Sequence, residues 1–96
     1  MTQESYILLR DFCQGHCLDE KFIYELQEVE LVRIEKVGEA PAIPPDELQV
    51  LERMVRLHRD LDIGPQGLRA VQQLLDRMEH LQQEILELRR KVRRYE

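Results

Sequence analysis

Cys13, His16 and Cys17 set two thiols and an imidazole within five residues, the densest grouping of soft ligands in the chain. Thiolate and imidazole are the donors zinc prefers, but a closed structural site needs four ligands, and His58 and His80 lie far away in sequence. The same trio suggests a nucleophilic Cys–His pair, which would further need an orienting group, a substrate pocket and oxyanion donors. No Gly-rich substrate loop accompanies it. The simpler account makes Cys13 a small core residue and Cys17 the border of a turn, so neither metal, cofactor nor catalysis is expected. His58 and His80 sit among charged residues and are expected on the surface or its rim.

The second concentration of chemistry is charge. Residues 1–47 carry eleven Asp/Glu against four Lys/Arg, a net −7, whereas residues 48–96 carry eight against ten, a net +2. Between positions 19 and 30, Asp19, Glu20, Glu25, Glu28 and Glu30 face only Lys21. An acidic segment is repelled by phosphate backbones and attracted to basic protein surfaces. At the other end, Arg89-Arg90-Lys91-Val92-Arg93-Arg94 is a basic run, which suits the negative C-terminal end of a helix.

Several elements must position these groups. With 34% charged residues, 5% aromatics and no Trp, the composition is that of amphipathic helices. Ser5 can cap a helix through Tyr6, Ile7, Leu8, Leu9, Phe12 and Cys13, with Gly15 as its stop. Asp19 caps a second helix whose apolar face is Phe22, Ile23, Leu26 and Val29. Two short helices on a tight turn form a helix-turn-helix. Arg33-Ile34-Glu35-Lys36-Val37 then alternates, Gly38-Glu39-Ala40-Pro41 turns, and Ala42-Ile43 pairs back, making a small wing. Pro44-Pro45 ends it, and Pro45-Asp46-Glu47 opens a third helix with Val50, Leu51, Met54, Leu57 and Leu61 toward the core.

After the break at Asp62-Ile63-Gly64-Pro65, Val71, Leu74, Met78, Leu81, Ile85, Leu88, Val92 and Tyr95 follow at spacings of 3 and 4 in strict alternation. That is an unbroken heptad seam with branched residues and Met at a and mostly Leu at d, the preference of two-stranded coiled coils. A helix along this seam is roughly 36 Å long, more than a small head can cover, so a homodimer interface is expected there. Antiparallel pairing is preferred because it moves the basic run toward Asp76, Glu79 and Glu84 of the second copy.

The chain therefore divides into a head, residues 1–63, and a dimerisation helix, residues 64–96. No apolar run approaches the ~20 residues that cross a bilayer, so no membrane partner is expected. Met1-Thr2-Gln3-Glu4 lacks the features of a secretory signal, and two cysteines are too few for a disulfide framework, which together suggest the cytoplasm.

The order of these elements resembles the MerR superfamily of winged helix-turn-helix proteins: a mainly α head followed by a long coiled-coil helix, dimeric. Asp11-Phe12-Cys13, Leu18-Asp19-Glu20 through Glu25-Leu26, Val29-Glu30-Leu31-Val32, Arg56-Leu57-His58-Arg59-Asp60-Leu61-Asp62-Ile63 and Gly67 resemble the CbpM-like chaperone modulators within it. That resemblance spans residues 5–95. It implies a non-enzymatic protein that binds the J-domain of a DnaJ/CbpA-like co-chaperone and restrains it. The residues expected at the partner surface are Glu20, Glu25, Glu28 and Glu30, with Arg56, Arg59, Asp60 and Asp62 near the third-helix junction. The runner-up is a MerR-type transcriptional regulator whose second helix and wing read an operator. A DNA-reading helix needs Arg, Lys, Asn or Gln at its exposed positions, and here acidic residues dominate.

Overall fold

A computed structural model of the chain describes residues 5–95, so the reading of Met1 to Glu4 lies outside them. Strand β1 (Ile7–Leu8) leads directly into helix α1 (Leu9–His16), followed by α2 (Glu20–Glu28). Strands β2 (Glu35–Val37) and β3 (Ala40–Ile43) form the wing, and a 3-10 turn (Pro45–Glu47) leads into α3 (Leu48–Leu61) and α4 (Pro65–Arg94).

The first helix departs from expectation at both ends. It begins at Leu9, because Ile7 and Leu8 are extended and pair antiparallel with Ile43 and Ala42 of β3. Ser5 is therefore not the cap of this helix, and Leu8 at the N-cap position offers no side-chain hydrogen bond. Nor does Gly15 end the helix. Cys17 takes the left-handed conformation instead (φ 53°, ψ 49°), with the Leu18 N–H donating to the Cys13 carbonyl at 2.8 Å and the Cys17 N–H to Gln14 at 3.3 Å. This Schellman closure brings Leu18 down onto the core, an apolar contact that a stop two residues earlier would forfeit.

Asp19 caps α2 as expected, its Oδ1 accepting from the Lys21 N–H at 3.0 Å. The helix closes on Glu30 in the same left-handed manner (φ 61°), with the Leu31 N–H donating to Leu26 at 2.9 Å. The wing forms where expected, but its turn is tighter: Ala40 and Pro41, expected in the turn, already pair with Val37 and Lys36 as the first residues of β3. β2 and β3 pair antiparallel in the register Glu35 with Ala42 and Val37 with Ala40, and Gly38 (φ 64°) supplies the positive φ of the tight turn. β1 completes a sheet of order β1-β3-β2, closed on one side by the Tyr6 hydroxyl donating to Glu35 Oε1 at 2.7 Å.

Leu9, Ile23, Leu26, Ile43, Leu51, Met54 and Leu68 are completely buried and tie α1, α2, β3, α3 and the first turns of α4 into one core. Burial of each such side chain contributes about 1.5–3 kcal/mol, which is how so small a head holds together. α3 buries Leu51, Met54 and Val55 rather than the whole expected stripe. Leu61 is 63% exposed, because the helix ends there and Asp62 (φ 54°) turns the chain before the side chain meets a neighbour. At this junction Gly67 lies so close to Ile63 that a Cβ would meet Ile63 Cγ2 at 2.7 Å.

α4 spans 30 residues, about 45 Å at 1.5 Å per residue. Leu68 anchors it in the head, and Val71 and Leu75 are half-buried near α3. Past Leu75 every residue described is exposed, so the helix projects from the head and the molecule is 59 Å long but only 21 Å thick.

Candidate protein-binding site

Burying Phe22, Ile23 and Leu26 turns one face of α2 inward, and its 3.6-residue period then puts Glu20, Lys21, Tyr24, Gln27 and Glu28 outside, with Glu25 at the boundary. Three of the four expected glutamates thus share the outer surface of one short helix. The fourth, Glu30, is exposed but turned away by its left-handed backbone. It borders a separate groove with Leu31, Val50, Arg69 and Asp76.

The residues expected on α3 divide similarly. Arg56, Arg59 and Asp60 line one groove, together with Glu52 and with His16 from the end of α1. Asp62 is exposed at the helix terminus, where it serves the chain reversal. His16 and Glu52 are therefore additions to the expected set. Nothing local in the sequence signals His16, which meets Arg56 only through the packing of α1 on α3, whereas Glu52 lies one helical turn before Arg56 on α3 itself.

The soft-ligand trio disperses. Cys13 is buried, Cys17 is exposed, and the His16 ring lies against Phe12 at 4.3 Å between centroids. Among the described residues no group of three or more His, Cys, Asp or Glu could hold a metal ion. Burial pushes the Cys13 thiol up from its ordinary value, with Glu20 and Asp19 adding to the effect, which makes it a poor nucleophile.

His58 lies at the rim of the core, within the reading its neighbours suggested, and it makes specific contacts there. It is half-buried, stacked on Phe22 at 4.2 Å, and its Nδ1 lies 2.7 Å from the Ile63 carbonyl. A carbonyl only accepts, so the proton sits on Nδ1. His58 thus braces α2 against the α3–α4 junction.

Electrostatics at the wing base are decided by Arg33. Its guanidinium donates to Glu35 Oε2 at 2.7 Å, Glu47 Oε1 at 3.3 Å and Asp46 at 3.4 Å. The hydrogen bond from Tyr6, and then that from Arg33, hold the Glu35 carboxyl below its usual range, while Glu35 and Asp46 raise the guanidinium further. Paired with three carboxylates, Arg33 is engaged within the molecule although exposed, which leaves Lys36 as the wing cation outside the ion pairs of the described residues. The charge that a wing would offer to a phosphate is largely spent internally.

On α4 the seam expected from the heptads lies in the open. Leu74, Met78, Leu81, Ile85, Leu88, Val92 and Tyr95 are 47–88% exposed, and Leu86 beside them is 44% exposed. Only Val71 is partly covered, where it borders a groove with Leu57 of α3. No helix among the described residues is long and apolar enough to cross a membrane.

No curated protein and no solved structure matches the chain. The model of the family described as MerR HTH family regulatory protein matches residues 7–90, from β1 through most of α4. With the helix-turn-helix, the wing and the projecting helix all inside that match, the chain belongs to the MerR helix-turn-helix family.

Proposed function

We propose that this chain is a non-enzymatic modulator that docks through the acidic outer face of α2 onto the basic helix of a J-domain in a DnaJ/CbpA-like co-chaperone, and so restrains it. One observation carries the proposal: the helix that a DNA-reading relative would insert into the major groove presents Glu20, Glu25 and Glu28, with Lys21 as its one cation. Phosphate would be repelled from that surface, whereas a basic protein helix would be steered to it. The groove of His16, Glu52, Arg56, Arg59 and Asp60 supplies mixed charge for a rim. The working unit is a homodimer in which a second copy covers the α4 seam, since an isolated helix gains nothing from exposing seven large apolar residues.

The test is a calorimetric titration of a J-domain into the wild-type protein and into the variant Glu25→Lys/Glu28→Lys. Reversing two charges on the docking face should weaken binding at least tenfold, and wild-type affinity should fall with salt. Unchanged affinity in the double variant would remove α2 from the interface.

The family's helix-turn-helix favours one rival, an operator-binding regulator. Fluorescence anisotropy with labelled duplex DNA separates the two, because phosphate contacts make affinity collapse between low and physiological salt. Tight, salt-dependent DNA binding with no J-domain binding would decide for the rival.

A further inference from the structure

The outer face of α2 carries one residue that a purely electrostatic surface does not call for. Tyr24 is 39% exposed, and apart from Leu61 it is the only exposed large apolar side chain among the described residues of the head. We infer that Tyr24 is the anchor of the docking face, and that it holds an arginine of the basic partner helix against its ring while Glu20 and Glu28 balance the charge. This inference rests on the α2 docking proposed above and adds the residue chemistry that the face selects.

The helical period sets the surroundings of the ring. On an α-helix the surface neighbours of a residue lie three and four positions away. For Tyr24 these are Glu20, Lys21, Gln27 and Glu28, all of them exposed. A carboxylate therefore stands one turn to each side of the ring, about 6 Å along the axis. None of Glu20, Glu25 and Glu28 enters an ion pair among the described residues, where Asp11, Glu35, Asp46, Glu47 and Glu84 are the paired acids. The aromatic contacts among the described residues join Phe12 to His16 and Phe22 to His58, and leave the Tyr24 ring without one. Ring and carboxylates are both uncommitted.

That placement does little for the isolated chain. Tyr is only a middling helix former, and ring surface left in water contributes nothing to the core. An aromatic centre encircled by polar side chains is, however, the arrangement of the residues that dominate binding energy in protein interfaces.

Charge and shape together choose the occupant. A cation is attracted both to the negative face of an aromatic ring and to the carboxylates beside it. An aliphatic side chain would cover the ring but set Glu20 and Glu28 against an apolar surface, and an anion would be repelled by both. Of the two cationic side chains, the planar guanidinium stacks on a ring and still directs N–H donors outward to a carboxylate. The ammonium of lysine is a compact, strongly hydrated point charge that cannot do both. Lys21, the one cation of the face, opposes a second positive charge, but Glu20, Glu25 and Glu28 outnumber it.

Calorimetric titration of a J-domain into four proteins tests the anchor: the wild type, Tyr24→Phe, Tyr24→Leu and Glu25→Lys/Glu28→Lys. Phe keeps the ring face and loses the hydroxyl, whereas Leu keeps apolar surface without a face. Tyr24→Phe should bind near the wild-type level, and Tyr24→Leu about tenfold more weakly. The partner's side is read by replacing the arginines of its basic helix with lysine one at a time. One such replacement should weaken binding to the wild type and to Tyr24→Phe, yet add little to the defect of Tyr24→Leu. Circular dichroism of each variant establishes that it remains folded. Wild-type affinity in Tyr24→Leu, with weak binding by the charge-reversal variant, would leave a face that works by charge alone and overturn the anchor. Equal losses in Tyr24→Phe and Tyr24→Leu would assign the contact to the hydroxyl and overturn the stacked arginine. A wild-type protein that takes up no J-domain removes the docking reading itself, and the anchor with it.

Discussion

Truncating Leu81 to alanine probes the seam at its midpoint without touching the head. Leu81 is 47% exposed, and its nearest seam neighbours, Met78 and Ile85, are similarly open, so it contributes nothing to the buried core. Leu→Ala removes the equivalent of about three methylenes, about 2.4 kcal/mol when fully buried. Roughly half of that surface is available for a second copy to cover, which gives about 1.2 kcal/mol per chain and about 2.4 kcal/mol per dimer. At about 1.4 kcal/mol for each factor of ten, the dimer dissociation constant should rise roughly 50-fold. Any cavity left at the interface adds to this. Sedimentation velocity over a concentration series reads the change. Leu86→Ala is the control, because Leu86 is 44% exposed but lies off the a and d positions. Equal shifts from the two variants would mean that the seam is not the interface. A wild-type protein that stays folded and monomeric throughout the series would refute the reasoning altogether.

Asp19→Ala deletes the cap of α2; a loss of about 1 kcal/mol should lower the melting temperature by about 4–8 °C, read by circular dichroism. Glu35→Gln tests the wing base through acid stability. The Glu35 carboxyl is held below its ordinary range by Tyr6 and Arg33, so its stabilisation is present above that range and is lost as pH falls through the depressed folded value. The variant should start less stable at neutral pH and lose less on acidification, and parallel acid limbs for the two proteins would contradict this. The thiols should separate cleanly with an alkylating reagent: exposed Cys17 reacts in the native protein, and buried Cys13 reacts only after denaturation. Mass spectrometry showing two adducts under native conditions would contradict the burial of Cys13.

Several features of this protein are written directly in the order of its residues. The cap at Asp19, the Gly38 turn and the Pro44-Pro45 break each depend on backbone conformations that neighbouring residues favour or forbid. The heptads of α4 are equally local, since a helix repeats its faces every few residues and the apolar stripe is visible in the spacing alone. The acidic character of α2 was legible for the same reason: once Phe22, Ile23 and Leu26 are assigned inward, the glutamates have to face out.

Other features depended on contacts between distant segments. The start of α1 moved from Ser5 to Leu9 because β3, more than thirty residues away, claimed Ile7 and Leu8 as strand partners. Gly15 lost the helix terminus to Cys17 because Leu18 could reach the core only if the helix ran further. His58 became a brace through Phe22 and the Ile63 carbonyl, and Arg33 became a hub through Glu47 and Asp46. Local sequence fixes what a segment prefers; which side chains are buried, paired or left facing solvent is settled only when remote elements pack and compete for the same surfaces and hydrogen bonds.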